Sequence, residues 1–135
     1  MKREDVTKEL LDIADTIKEL ALRKNGIEAE LEPLQDSYRE LGYDFYTKVC
    51  EAVDERGKAL YTNEDRRRRE VEHRLRNDDK AIKLRVEVRQ YREEIDKIMA
   101  EVNRLQDRKL ILLVTLGAPL PEDVIERENR SKYIA

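Results

Sequence analysis

The chain offers one histidine and one cysteine for metal binding or nucleophilic chemistry. His73 is the sole histidine, and the sole cysteine, Cys50, lies 23 residues before it. Zinc sites usually take four such ligands in two closely spaced pairs, which these two residues do not supply. A single cysteine also excludes a disulfide within the chain and is typical of a protein in the reducing cytoplasm. We therefore predict no metal site, no cofactor and a cytoplasmic location.

Carboxylates four residues apart are the other candidates for catalytic chemistry. Glu28 with Glu32, and Asp36 with Glu40, would each share one side of a helix, where paired acids can act as general acid and base. In a chain with 44% charged residues such pairs arise by chance, and a solvated helix face explains them. The sequence has no glycine-rich phosphate loop and no nucleophile elbow. We predict that the protein is not an enzyme and has no small-molecule substrate.

Basic side chains recur at helical spacing between positions 66 and 83. This basic stripe comprises Arg66, Arg69, Arg76, Lys80 and Lys83. Residues 66–92 contain eleven Lys and Arg against five Asp and Glu, a balance of +6. Such a stripe can follow the phosphates of a nucleic acid, or it can bind an acidic partner protein.

A different interpretation pairs the basic stripe with the first part of the chain. Residues 1–55 contain eight Lys and Arg against fifteen Asp and Glu, a balance of −7. Opposite charges beside an apolar seam select the partner and the direction of coiled-coil helices. The net charge of −3 does not favour binding to a polyanion, and no aromatic residue lies within the stripe. Pairing inside the chain or between subunits is the preferred interpretation, with nucleic-acid binding as the alternative.

The elements that position these residues are predicted from a heptad pattern of apolar side chains. In the first half of the chain, steps of four and three residues alternate through Val6, Leu10, Ile13, Ile17, Leu20, Lys24, Ile27, Leu31, Leu34, Tyr38, Leu41 and Phe45. The phase is unchanged across Gly26 and Pro33, although an interior proline removes a backbone hydrogen bond. We therefore predict one helix from about 5 to 54, with a kink near Pro33.

A second helix is predicted from about 64 to 116, after a loop at about 55–63. Its first apolar positions are Val71, Leu75 and Ile82. A slip in the heptad follows near residues 77–83. The second phase then runs through Leu84, Val88, Tyr91, Ile95, Ile98, Val102, Leu105, Lys109, Leu112 and Leu116.

The two predicted helices are similar in length, so an antiparallel hairpin is the simplest arrangement of residues 1–119. Lys24 and Lys109 occupy seam positions, where a polar residue costs stability and sets the register or oligomeric state. Pro121 and the acids after it can open a short helix in a C-terminal tail, residues 120–135. The predicted fold is all-α: a long two-helix coiled-coil hairpin with a short helical tail.

The apolar run at 110–114 covers every side of a helix, so one facing helix cannot bury it. We predict that a second copy does, giving a dimer or tetramer, a helical bundle joined at the open end of the hairpin. The predicted interface comprises Val6, Leu10, Ile13, Leu105, Leu110, Ile111, Leu112, Leu113 and Leu116. The alternative is that the tail folds back over this end. The run is far short of the roughly 20 residues that cross a bilayer, so no membrane association is predicted.

The connection between the predicted helices resembles a pattern in small helical-hairpin proteins of phages and prophages. The residues that carry it are Gly57, Lys58, Tyr61, Thr62, Asn63, Glu64, Arg67, Arg74, Leu75 and Asp78. The arginine run 66–69 and the apolar run 110–114 depart from that pattern. Most of those proteins have no assigned function, and some are thought to lie near recombination or single-strand-binding genes. The resemblance implies a helical hairpin associated with nucleic acid, and no catalytic residue.

The predicted function is that of a structural or interaction protein that self-associates through coiled-coil helices. The first alternative is an accessory nucleic-acid-binding protein that uses the basic stripe in a phage-type recombination context. The second is an inhibitor or adaptor that binds an unidentified partner protein.

Overall fold

The computed structural model describes residues 2–117, and this part of the chain is all-helical, as predicted. Helix α1 spans Arg3–Glu51, α2 spans Glu64–Asn77 and α3 spans Asp79–Thr115. The described residues contain no β-strand beyond a single bridge between Val53 and Ala59. The predicted C-terminal tail, residues 120–135, lies outside the described residues.

Helix α1 contains 49 residues and continues through Pro33 without interruption. Glu4 and Asp5 lie in its first turn and Lys48 in its last. Each charge is opposite in sign to the partial charge of the helix dipole at that end and is stabilising there. All twelve seam positions predicted for the first helix are buried or half-buried. The heptad pattern therefore identifies the packed side of α1 correctly along its length.

The connection at 52–63 is a tight turn built on Asp54. One carboxylate oxygen of Asp54 accepts hydrogen bonds from the backbone N–H groups of Arg56 (2.8 Å) and Lys58 (2.9 Å). Gly57 adopts a φ of +78°, which a residue with a side chain rarely adopts. Asn63 then caps α2 by accepting from the N–H of Arg66 at 2.9 Å.

Asp78 divides the predicted second helix into α2 and α3. Its backbone is extended, with φ −87° and ψ 125°, and its carboxylate accepts from the N–H of Ala81 at 2.9 Å. The Asn77 side chain donates to the carbonyl of His73 at 2.8 Å. Such side-chain bonds replace those of a continuing helix. The heptad slip predicted near 77–83 therefore coincides with a break between two helices.

The change of phase at Asp78 alters which side chain of the next turn is buried. Ala81 is fully buried, whereas Ile82 is 39% exposed, so the predicted seam position of Ile82 is wrong. The break also divides the basic stripe. Arg66, Arg69 and Arg76 lie on α2, and the two lysines lie on α3.

Two compact units make up the chain, one of residues up to 24 and from 96 onward, the other of residues 25–95. In the first unit, the start of α1 packs against the end of α3. The buried cluster there consists of Val6, Ile13, Leu105 and Leu112, with Leu10, Ile17, Leu20 and Leu116 packed against it. In the second unit, the buried side chains are Ile27, Leu31, Val49, Ala81 and Leu84.

Candidate interaction surfaces

Four of the nine residues predicted to join two copies are buried inside one chain. They are Val6, Ile13, Leu105 and Leu112, each at most 8% exposed. Leu10 and Leu116 pack against the same cluster, and Leu110 and Leu113 are half-buried. Only Ile111 of the nine is exposed, with 57% of its surface accessible. Most of the predicted interface therefore serves contacts between the two ends of the chain.

Exposed apolar surface remains beside that cluster on the outer sides of both helices. Leu11 on α1 is 64% exposed, and Ile111 and Val114 on α3 are 57% and 60% exposed. Within the run 110–114 only Leu112 is buried, because successive helical residues point in different directions. We call Leu11, Ile111 and Val114 the apolar surface. The predicted interface does not include Leu11 and Val114, although Val114 belongs to the apolar run 110–114 from which self-association was predicted.

An ion pair between Glu9 and Arg108 fastens the two helix ends beside the buried cluster. The guanidinium donates to both carboxylate oxygens, at 2.9 and 3.3 Å. The hydrogen bond from Arg108 lowers the pKa of Glu9 and raises that of Arg108. Lys109, predicted to set the register, is exposed, and Lys24 is half-buried. Arg108 was not predicted from the sequence, although it lies between the buried Leu105 and Leu112.

Every member of the basic stripe is exposed. Within residues 2–117, no carboxylate lies in ion-pair distance of any of the five side chains. The neighbouring arginines differ, because Arg67 and Arg68 pair with Glu64. The predicted pairing of the stripe with acids of residues 1–55 is therefore not formed within the chain among the described residues.

Polar contacts at the turn end of the second unit join α1 to α2. The Tyr46 hydroxyl donates to Glu64 at 3.0 Å, and this bond raises the pKa of Tyr46. On α2, Arg74 donates to Glu70 at 3.0 Å and lowers the pKa of Glu70. Arg67 donates to the backbone carbonyl of Tyr61 at 3.3 Å. Four residues of the phage-type pattern thus make contacts within the fold: Tyr61, Glu64, Arg67 and Arg74.

The described residues bring no group of three or more potential metal ligands together. His73 and Cys50 are both exposed. None of the helices within 2–117 combines the length and apolar character that a bilayer crossing requires. The apolar surface and the basic stripe are therefore the candidate interaction surfaces that we consider within residues 2–117.

Comparison with protein-family models, curated proteins and solved structures found no match for this chain.

Proposed function

We propose that this chain is a non-enzymatic structural protein, a coiled-coil helical hairpin that self-associates into a dimer or tetramer. The observation that carries the proposal is the apolar surface. Three large aliphatic side chains, each more than half exposed, lie on the helix segments that form the buried cluster of the first unit. Ile111 and Val114 are three residues apart and therefore neighbours on α3, and exposed apolar side chains grouped on a helix are typical of surfaces that another helix covers.

Contacts between distant parts of the chain support the hairpin. In the first unit, Glu9 bonds Arg108 across 99 positions of sequence. In the second, Tyr46 bonds Glu64, and a side chain added at Gly42 would lie 3.9 Å from a methyl group of Leu75. In an antiparallel arrangement, residues early in the chain contact late residues, and residues near the middle contact each other. The contacts within each unit follow this pattern.

The expected strength of the assembly follows from its size. Burying an exposed aliphatic side chain stabilises by about 1.5–3 kcal/mol at most, and these side chains are already partly covered. Association costs roughly 4–15 kcal/mol in lost translational and rotational freedom. Because the gain exceeds the cost by a small margin at most, we expect a reversible equilibrium between single chains and oligomers rather than a permanent complex.

Replacing Ile111 and Val114 by lysine tests this surface. Ile111→Lys with Val114→Lys should shift the assembly to single chains in sedimentation velocity, because two buried charges oppose association. Helix content by circular dichroism should be unchanged, since both positions are more than half exposed. The matched control is Val53→Lys, a 56% exposed position in the turn, which should leave assembly intact. Assembly unaffected by the double variant would refute the proposal for this surface.

Nucleic-acid binding is the second candidate, and the basic stripe favours it, because its five side chains are exposed and form no ion pair among residues 2–117. Helical Arg and Lys that carry no carboxylate partner are free to replace the counterions of phosphates. The resemblance to phage-type hairpin proteins supports the same candidate. The absence of aromatic residues between positions 66 and 83 points to backbone contacts rather than base stacking.

A salt series of DNA and RNA binding tests this candidate. Arg66→Ala with Arg69→Ala should weaken binding and reduce the slope of log affinity against log salt by about 1.4–1.8, the value for two phosphate contacts. The control, Arg68→Ala with Arg104→Ala, removes two exposed arginines that are paired with Glu64 and Glu101. It should change the slope less. Equal effects of the two variants, or no binding at low salt, would exclude the stripe as a nucleic-acid site.

A further inference from the structure

The outer side of α3, just after Asp78, combines apolar and basic side chains. Ile82 and Val86 are 39% and 47% exposed, and their spacing of four residues places them together on the helix. Lys83, Arg85 and Arg89 surround them and are exposed. No carboxylate within 2–117 lies in ion-pair distance of these three cations. We call these five residues the α3 face.

An apolar centre with a charged rim is typical of a surface that binds protein. A surface for phosphates needs the cations alone, and two exposed aliphatic side chains at its centre would gain nothing from a polyanion. A protein that covers the α3 face should therefore present acidic side chains around an apolar or aromatic group.

The outer side of α1 in the same unit has those properties. Tyr43 is 65% exposed, the highest exposure among the large hydrophobic residues described. Glu40 lies three residues before it, Asp44 directly after it and Glu51 about two turns further along α1, and all three are exposed. Within 2–117, none of these three carboxylates has an ion-pair partner. We call Glu40, Tyr43, Asp44 and Glu51 the α1 face.

We propose that the α3 face of one copy docks onto the α1 face of a second copy. Tyr43 would pack on Ile82 and Val86, since an aromatic ring buries much apolar area at small conformational cost. The acids of α1 would meet the cations of α3 around that contact. Opposite charges on a rim steer association and select the orientation of the partner. The inference rests on the self-association proposed above and names a second surface for it.

Both faces point outward, which limits the kinds of assembly that they can form. Val86 lies two residues from Leu84 and Val88, and Tyr43 two from Leu41 and Phe45; two residues correspond to about 200° on a helix. Leu84 is buried and the other three are half-buried, so each face points away from the packed side of its own helix. Contact between two different surfaces either closes a two-fold dimer, in which each copy supplies both faces, or continues head to tail into a ring or a chain of copies.

Charge reversal on each face, followed by mixing, tests the inference. Arg85→Glu with Arg89→Glu should weaken self-association at low salt at least about tenfold, because like charges then face each other. Glu40→Lys with Asp44→Lys should do the same. An equimolar mixture of the two variants should restore assembly, since each then offers the charge that the other lacks. The control for net charge is Arg56→Glu with Lys97→Glu, two exposed residues outside both faces.

The outcomes separate this inference from the proposed function. Assembly that neither reversal weakens, but that Ile111→Lys with Val114→Lys abolishes, would overturn the α1–α3 contact and leave the proposed function standing. Single chains at every concentration and salt would overturn both. Loss of nucleic-acid binding in Arg85→Glu with Arg89→Glu, with assembly unchanged, would assign the α3 face to phosphates instead. Weakening by each reversal with recovery on mixing would support the contact.

Discussion

At the scale of single residues, the contact between Glu9 and Arg108 has a measurable consequence. The hydrogen bond from Arg108 favours the ionised carboxylate and lowers the pKa of Glu9 below its ordinary range. A carboxyl group whose pKa is lower in the folded chain stabilises the fold above its unfolded pKa. That stabilisation is lost as the pH falls through the unfolded value and on through the folded one.

Glu9→Gln should therefore lower the melting temperature slightly at neutral pH. The difference from the unmodified chain should shrink as the pH falls through the ordinary range of a glutamate, because the carboxylate is then protonated in both states. The control is Glu19→Gln, an exposed acid of α1 without an ion-pair partner among residues 2–117. A Glu9→Gln effect that persists unchanged into acid would show that its cause is packing and not charge.

The identity of this ion pair could not be predicted from the sequence. The heptad places Lys109 on the seam and Arg108 directly next to it. A long basic side chain at either position can reach the facing helix. Only the positions of the two backbones determine that Arg108 meets Glu9 while Lys109 is exposed.

At the scale of the elements, Asp78 is the residue that ends one helix and begins the next. Asp78→Ala removes the carboxylate that caps α3 through the N–H of Ala81. Loss of such a cap costs about 0.5–2 kcal/mol, and urea unfolding should show a decrease of this size. Asp79→Ala, in the first turn but without the capping bond, should cost less, about 0.3–1 kcal/mol. An increase in stability with Asp78→Ala would mean that residues 64–115 prefer one continuous helix.

The helices themselves were predictable because apolar periodicity reports which side of a helix is packed. That signal crosses Pro33 unchanged, and α1 is one helix there. The break at Asp78 left only a slip in the heptad, since side-chain bonds to the backbone do not alter the order of apolar residues. The loop after the first helix was predicted from the sequence, but the hydrogen bonds by which Asp54 holds it as a tight turn were not.

At the scale of the whole molecule, a heptad seam predicts burial without naming the partner. The heptad is satisfied equally well if Val6 packs against Leu112 of the same chain or against a second copy. The two residues are buried in one cluster within the chain. The surface left for association therefore differs from the predicted one. It consists of Leu11, Ile111 and Val114, none of which is a heptad position, and of these only Ile111 belongs to the predicted interface.

The two proposed contacts between copies should respond differently to salt. Exposed ion pairs are screened once the ionic strength shortens the Debye length to about 10 Å or less. Association of the α1 and α3 faces should therefore weaken as salt is added. Burial of the apolar surface does not depend on charge, so the association that remains at high salt should be that of Leu11, Ile111 and Val114.

Sedimentation equilibrium of the unmodified full chain over a dilution series tests the central claim most directly. At high salt, the weight-average mass should rise from that of one chain at low concentration to that of two or four chains at tens of micromolar. The midpoint of that rise measures the dissociation constant of the apolar contact. A mass of one chain at every concentration and every salt would contradict the proposal that this protein works by assembling with itself.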